Sequence, residues 1–137
     1  MTAREHLEKY GIRPSVQRLA VMQYLMNSKT HPTVEEIYAD LVKEIPTLSK
    51  TTVYNTLDLL VANRAVTQIT IEGGKAHYDG FTHIHSHFYC NECGKIFDMP
   101  CDEKHLRTLE PKNGFIIKST QLYYTGICPE CRSKNEN

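Results

Sequence analysis

Two Cys-x-x-Cys pairs constrain this chain more than any other feature of its sequence. The first pair is Cys90 and Cys93, followed by Gly94, and the second pair is Cys128 and Cys131. Thiolates at this spacing can both reach one ion, and two such pairs supply the tetrahedral set of sulfur ligands that Zn²⁺ prefers. The sequence therefore predicts a structural zinc site that joins the middle of the chain to the region around residue 130.

Buried thiols or redox-active pairs are the alternative interpretation of these cysteines. A redox Cys-x-x-Cys usually occurs singly and at the start of a helix, which is unlike this arrangement. Four of the five cysteines pair by spacing and Cys101 is left over, a pattern that favours a reducing compartment over secreted disulfides. The chain begins without the apolar core of a signal peptide and contains no apolar run near the roughly 18 residues of a membrane span. These features predict a cytoplasmic protein with no membrane partner.

The charge balance limits how this chain could bind a polyanion. Lys and Arg together number 16, and so do Asp and Glu, so the formal net charge is zero. Any contact with nucleic acid must therefore come from a local basic surface.

Residues 1–80 alternate between helical periodicity and turn signals, and they predict four helices followed by a β-hairpin. Ser15, Thr33 and Ser49 each precede an apolar stripe at helical spacing and predict three helix N-caps. After Asn63 the pattern changes to β-branched residues around a Gly73-Gly74 turn. This order of elements predicts an N-terminal winged helix-turn-helix.

In a winged helix-turn-helix, the helix before the hairpin would be the one offered to DNA. Its outward face is rich in hydroxyl and amide side chains, which suit phosphate groups and base edges. The predicted contacts are Lys50, Thr51, Thr52, Tyr54 and Asn55. An ordinary solvated helix surface is the alternative.

Residues 81–85 are interpreted as a hinge, and residues 86–137 as a small α/β domain that holds the four-cysteine zinc site. Predicted strands begin at Ser86, Lys95, Phe115 and Leu122, a short helix runs from Asp102 to about Leu109, and the tail after Cys131 is expected to be frayed. The whole chain is thus predicted to be an α+β protein with domains at 1–80 and 86–137.

Histidines at alternate positions beside the hinge suggest a second metal site of different character. In a strand, residues two apart point to the same side, so His85 and His87 can face one ion. Asp79 and Asp98 are the nearest carboxylates in the predicted domains. A structural role is the alternative for any single histidine.

Taken together, these motifs resemble the ferric uptake regulator (Fur) family of bacterial metal-dependent repressors over nearly the whole length. The resemblance rests on His31-Pro32-Thr33, on the run from Ser49 to Leu57, on His85-x-His87-x-x-Cys90-x-x-Cys93-Gly94-Lys95, and on Gly126-x-Cys128-x-x-Cys131. It implies a winged-helix domain, a C-terminal dimerisation domain, homodimers on operator DNA, and a regulatory metal held between the two domains.

Within the family, the peroxide-sensing PerR branch is the most similar. The resemblance assigns the regulatory ligands to His31, Asp79, His85, His87 and Asp98, of which His31 could not have been selected by spacing alone. Iron-uptake members often carry Glu at a carboxylate position, so Asp98 favours peroxide sensing. Ser86 and Ile127 stand where iron-uptake members often have Asp and His, and His83 and Cys101 have no clear family role.

Three imidazoles and two carboxylates suit Fe²⁺ or Mn²⁺, whereas the four thiolates suit zinc. The resemblance implies that peroxide converts His31 or His85 to oxo-histidine when Fe²⁺ is bound. It also implies that Arg13 enters the minor groove, while Arg18 is interpreted as a phosphate contact and both could be plain surface cations.

Three rival hypotheses remain open at this point. The first keeps the fold but senses iron level or another metal. The second is a mononuclear iron oxygenase, for which the sequence offers no substrate pocket or co-substrate motif. The third is a zinc-stapled interaction module that does not bind DNA. The prediction is a regulator rather than an enzyme.

Overall fold

The computed structural model describes residues 1–28, 30–70, 75–80, 86–100, 113–116 and 120–135. The chain divides into two compact units, Met1–Thr82 and His83–Asn137, which are called here the N-unit and the C-unit. The predicted hinge at 81–85 and the predicted helix at 102–109 lie outside the described residues, as do His83, His85 and Cys101.

Four helices form most of the N-unit. They are α1 (Ala3–Lys9), α2 (Val16–Asn27), α3 (Val34–Leu41) and α4 (Lys50–Ala62). The three predicted caps are confirmed, because each hydroxyl oxygen accepts the backbone N–H of the residue three positions on. The distances are 3.2 Å for Ser15 and Arg18, 3.3 Å for Thr33 and Glu36, and 3.1 Å for Ser49 and Thr52.

The apolar stripes of these helices meet in one core, which fixes the direction of α4. The fully buried side chains include Leu7, Met22, Leu25, Ile37, Val53, Leu57 and Leu60. Strands β1 (Thr67–Thr70) and β2 (Ala76–Asp79) follow α4 and pair antiparallel. Helix α4 followed by this hairpin is the predicted winged helix-turn-helix.

The C-unit is built on a three-stranded sheet in the order β4-β3-β5. Its strands are β3 (Ser86–Cys90), β4 (Ile96–Met99) and β5 (Tyr123–Gly126). β4 is antiparallel to β3 and β5 is parallel to it. Both Cys-x-x-Cys pairs therefore sit at one end of the sheet, because Cys90 ends β3 and Cys128 lies two residues after the end of β5, which is parallel to β3.

Two expectations for the C-unit were wrong. The tail after Cys131 is helical, in a helix α5 (Pro129–Asn135) that is held by Cys131, which is buried, and by a 2.7 Å bond from Asn135 Nδ2 to Glu92 Oε1. Phe115 and Ile116 lie in no strand and are 68% and 86% exposed, so the strand predicted to begin at Phe115 is not formed by its described residues, and Ile117 lies outside the described residues. The polar composition of this segment did not predict a helix, because the contacts that stabilise the helix are tertiary.

Candidate metal centres and nucleic-acid face

The four paired cysteines converge at the end of the C-unit sheet. One sulfur from each of Cys90, Cys93, Cys128 and Cys131 lies within 4.8 Å of all the others. Sγ of Cys93 and Sγ of Cys128 are 3.9 Å apart. Four sulfurs bound to zinc at about 2.3 Å would be separated by about 3.8 Å. The arrangement therefore suits one tetrahedral zinc ion.

Backbone N–H groups stabilise a thiolate in this cluster. The N–H groups of Cys93 and Cys128 donate to Cys90 Sγ, at 3.5 Å and 3.4 Å. The bond from Cys93 is the largest cause that lowers the pKa of Cys90 to about 6. The pKa of Cys131 is raised to about 12, first because its thiol is hydrogen-bonded to the Cys128 sulfur and then by burial. Such a set favours at least one thiolate at neutral pH, which is the form that binds metal.

The N-unit holds a buried imidazole–carboxylate pair. Nε2 of His31 lies 3.5 Å from Oδ2 of Asp79, and their side chains are only 4% and 2% exposed. His31 precedes α3 and Asp79 ends β2, so the tertiary pairing of that loop with the hairpin brings them together. Both residues are among the predicted regulatory ligands.

The C-unit holds a second pair with the same separation. Nε2 of His87 lies 3.5 Å from Oδ1 of Asp98. The antiparallel register of β3 and β4 places these residues directly opposite each other. The His87 side chain is 6% exposed and the Asp98 side chain is 45% exposed.

The chemistry of both pairs suits a hard or borderline divalent cation. The 3.5 Å separation exceeds the roughly 2.7–3.2 Å of a direct hydrogen bond. It matches two donor atoms that each lie about 2.1 Å from a common ion. Imidazole and carboxylate donors select Fe²⁺, Mn²⁺ or Zn²⁺ rather than a soft cation. The residues present therefore fit the regulatory metal that the sequence predicts. His85, the fifth predicted ligand, lies outside the described residues.

The predicted DNA-facing side of α4 is solvent-accessible. Lys50, Thr51, Tyr54 and Asn55 are exposed, and Thr52 is half-buried. The Tyr54 side chain is 42% exposed, whereas the opposite face of α4 is buried in the core. This face borders a groove of about 410 Å³, lined by residues of α4 and of the hairpin that include Tyr54, Asp58, Gln68 and Lys75.

Arg13 and Arg18 lie together near the start of α2. Nη1 of Arg18 donates to the Arg13 carbonyl oxygen at 2.9 Å, so Arg18 braces the loop that carries Arg13. Arg18 also lines a depression of about 230 Å³ with Ser15, Gln17, Thr52 and Asn55. Donor groups from α2 and α4 therefore share one surface.

Two further residues at these sites escaped the sequence analysis. Glu35 Oε1 lies 3.9 Å from Lys50 Nζ, so a predicted DNA contact already has an acidic neighbour from α3. His77 Nδ1 lies 2.8 Å from the His31 carbonyl oxygen. Only the alternation of β2 offered a signal for His77, since it places His77 and Asp79 on the same face of the strand.

Comparison with known families and proteins agrees with this geometry. The profile of the ferric uptake regulator family matches residues 9–125. The peroxide operon regulator of Bacillus subtilis is 36% identical over 137 residues, covering 98% of this chain and 94% of that protein. The peroxide-responsive repressor PerR of Staphylococcus aureus is 35% identical over 130 residues, covering 93% of this chain and 88% of that protein.

Solved structures show the same fold. The peroxide stress regulator of Campylobacter jejuni has a TM-score of 0.72 and 28% identity, covering 93% of this chain and 95% of that one. The ferric uptake regulator of Helicobacter pylori, described as having three functional metal binding sites, has a TM-score of 0.73 and 26% identity, covering 94% of this chain and 88% of that one.

Proposed function

The chain belongs to the ferric uptake regulator family, and on that basis we propose that it is a metal-dependent, DNA-binding transcriptional repressor that senses peroxide. One observation carries the proposal: each unit contains an imidazole–carboxylate pair with a nitrogen–oxygen separation of 3.5 Å. Two matching half-sites in one chain suit an ion shared between the units. The peroxide assignment is supported by relatives that are 35% and 36% identical and are named as peroxide regulators.

In this proposal, the regulatory ion takes two ligands from the N-unit and three from the C-unit. His31 and Asp79 come from the first, and His85, His87 and Asp98 come from the second. The four cysteines hold a zinc ion with no open coordination position, so that ion has only a structural role. With five protein ligands, an ion that prefers six ligands would keep one position open for a small molecule.

The switch depends on the geometry that the ligands impose on the two units. If only the metal-tied shape spaces two α4 helices correctly in a homodimer, metal and operator DNA promote each other's binding reciprocally. Dimeric helix-turn-helix proteins read two half-sites about one helical turn apart, which makes this spacing decisive. Phe115 and Ile116 are exposed and lie in no strand, so they offer apolar surface in the C-unit for dimerisation.

A bound Fe²⁺ would supply redox catalysis of O–O cleavage without net loss of its own electrons, because the two electrons that the peroxide takes up come from the imidazole, whereas Mn²⁺ would not supply this chemistry. The chain contributes the site of damage. An imidazole C–H of His31 or His85 becomes oxo-histidine by gaining one oxygen atom from hydrogen peroxide, and the other oxygen leaves as water. Loss of that ligand releases the tie between the units and so releases DNA. The chain is altered once and not regenerated, which is sensing rather than enzymatic turnover.

For DNA recognition, we assign base or sugar contacts to Tyr54 and Asn55 and the remaining contacts to Lys50, Thr51, Thr52, Arg13 and Arg18. Two observations support these assignments: the α4 residues lie on one solvent-accessible face, and Arg18 shares a surface depression with Thr52 and Asn55 of α4. Because the formal net charge is zero, binding relies on this local surface and on shape.

The decisive experiment selects bound sequences from a random duplex pool with the zinc-loaded protein plus Mn²⁺. A selected operator should be bound with Mn²⁺ or Fe²⁺ and released when the Fe²⁺ form meets micromolar peroxide, while the Mn²⁺ form stays bound. Peptides containing His31 or His85 should then gain the mass of one oxygen atom. Selection of no sequence would reject the regulator.

An iron-responsive repressor of metal uptake is the second candidate, favoured by the fold shared with the Helicobacter pylori ferric uptake regulator. The same assay separates the two. An iron-level sensor would show no added oxygen on either histidine after peroxide treatment.

A further inference from the structure

His77 has no place in the proposed ligand set, yet its side chain contacts the backbone of one ligand. Its Nδ1 lies 2.8 Å from the carbonyl oxygen of His31. Because a carbonyl oxygen can only accept, Nδ1 must carry the proton in this bond. We propose that His77 is a positioning residue that holds His31 in its metal-binding conformation. The inference rests on the proposed function, since it concerns the same regulatory site.

The backbone of His31 shows why such support is needed. His31 has φ of 54°, in the left-handed region that residues with a side chain rarely adopt. A conformation of this kind persists only where its surroundings enforce it. The bond from His77 is made to the peptide group of His31 itself, so it acts on the torsion angles that aim the imidazole.

Strand β2 supports this peptide at three successive positions. The backbone N–H of Tyr78 donates to the Pro32 carbonyl oxygen at 3.0 Å, immediately after the bond from His77 to His31. Asp79 then places its carboxylate 3.5 Å from His31 Nε2. Three consecutive residues of the strand therefore approach the loop, two of them through hydrogen bonds to consecutive carbonyl groups and the third by placing its carboxylate beside the His31 imidazole.

Of these three supports, only the one from His77 can be removed by a side-chain substitution without deleting a ligand. The bond from Tyr78 is a backbone bond, and Asp79 is itself a proposed ligand. Groups that orient metal ligands typically contribute about 10- to 100-fold to metal affinity. We therefore expect loss of the His77 donor to weaken Mn²⁺ binding by about tenfold.

The test compares four zinc-loaded, full-length proteins: wild type, His77→Val, His77→Asn and His6→Leu. Valine suits a strand but lacks a donor, whereas the asparagine amide can donate from a similar position. His6 provides the matched control, because its Nε2 lies 2.8 Å from the Ala65 carbonyl oxygen, a bond of the same length in the same unit. Mn²⁺ affinity is measured by competition with a chromophoric chelator, and zinc content and thermal unfolding are measured in parallel.

The valine variant should bind Mn²⁺ about tenfold more weakly, and the asparagine variant should recover most of the affinity. His6→Leu should lower the unfolding temperature yet bind Mn²⁺ like wild type. Equal affinity of the valine variant and wild type would overturn the inference, and so would an equal loss in the valine and His6→Leu variants. Failure of wild type to bind Mn²⁺ would instead reject the proposed function.

A measurement on wild type alone covers the case in which the valine variant does not fold. With diamagnetic Zn²⁺ at the regulatory site, a long-range ¹H–¹⁵N spectrum should show neutral His77 protonated at Nδ1 and not at Nε2. Protonation at Nε2 alone would mean that the bond to His31 does not exist in solution, and the inference would fail.

Discussion

Nε2 of His31 lies 3.5 Å from Oδ2 of Asp79, and both side chains are almost completely shielded from solvent. A buried carboxylate is costly unless positive charge or hydrogen bonds compensate it. A divalent cation bound at this pair would supply the compensating positive charge. The pair therefore links the stability of the N-unit to the metal as well as to the packing around it.

Asp79→Asn tests this relationship with almost no change of shape. Because the amide is a neutral and weaker ligand, Mn²⁺ affinity should fall by about tenfold or more. Competition with a chromophoric chelator measures the change. Glu8→Gln is the matched control, since Glu8 is an exposed carboxylate 3.9 Å from Arg4 in the same unit. An Asp79→Asn protein that binds Mn²⁺ as tightly as the control would contradict the assignment.

Asp98→Ala tests whether the metal couples to DNA binding. Wild type should bind its selected operator about 5- to 150-fold more tightly with Mn²⁺ than without it, the usual range of such coupling. In Asp98→Ala the two affinities should become equal, because the C-unit half-site is broken. Fluorescence anisotropy over a Mn²⁺ series measures both. Glu130→Ala, on the exposed face of α5, should behave like wild type.

Zinc removal should unfold the C-unit and leave the N-unit helical. Structural zinc is worth roughly 10–16 kcal/mol in small peptides at neutral pH. Among the described residues of the C-unit, the apolar cluster around the sulfurs adds only Phe88 and Phe97. Chelation should therefore abolish protection from hydrogen exchange in β3, β4 and β5, while α2 and α4 stay protected.

Cys90→Ser should reproduce the effect of chelation without a chelator. The fifth cysteine supplies the control, because Cys101→Ser removes a thiol that is not paired by spacing. Persistent protection of β3 in the Cys90→Ser protein would show that the sheet does not depend on zinc.

Acid should release zinc in a defined window. The backbone N–H of Cys93 is the main group that lowers the pKa of Cys90 to about 6, from 9.0. A depressed pKa stabilises the folded form above the unfolded value, and that stabilisation is lost as pH falls through about 6. Below about pH 6 protons begin to compete with zinc for this thiolate, so the apparent zinc affinity, followed with a metal indicator, should fall more steeply with acid there than at pH 7. A zinc affinity whose pH dependence is no steeper below about pH 6 than above it would contradict this expectation.

Arg18→Ala should weaken operator binding uniformly across sequences. If Arg18 neutralises one phosphate, the slope of log affinity against log salt should become shallower by about 1. Arg18→Lys keeps the charge but loses the planar donor that braces the Arg13 carbonyl at 2.9 Å. It should therefore restore the salt slope while leaving part of the affinity loss. An unchanged slope in Arg18→Ala would remove Arg18 from the contacts.

Features encoded by local sequence were predictable. The caps at Ser15, Thr33 and Ser49 depend on a hydroxyl and a backbone N–H three residues away, so residue type and periodicity were sufficient. The sulfur cluster was predictable for a similar reason, since the spacing within each pair limits where its two thiols can go.

Features created by tertiary pairing were not predictable from spacing. His31 meets Asp79 only because strand β2 binds the loop before α3, through a bond from Tyr78 N–H to the Pro32 carbonyl. Family resemblance, rather than any local pattern, selected His31. Helix α5 was missed because its composition is polar and its stability depends on Cys131 and on the bond from Asn135 to Glu92. Phe115 and Ile116 carry strand-like side chains but lie exposed and unpaired with any described strand.

The parallel pairing of β3 with β5 sets an order of maturation. Cys90 lies opposite Gly126, 36 residues later, so this alignment must close a long loop before it gains any contact. The N-unit helices are joined by short connections and should form much sooner. In a newly made chain the N-unit can thus be folded while the C-unit has not yet bound zinc. If zinc removal unfolds the C-unit as predicted above, zinc supply limits how fast the fully folded protein accumulates, independently of the regulatory metal.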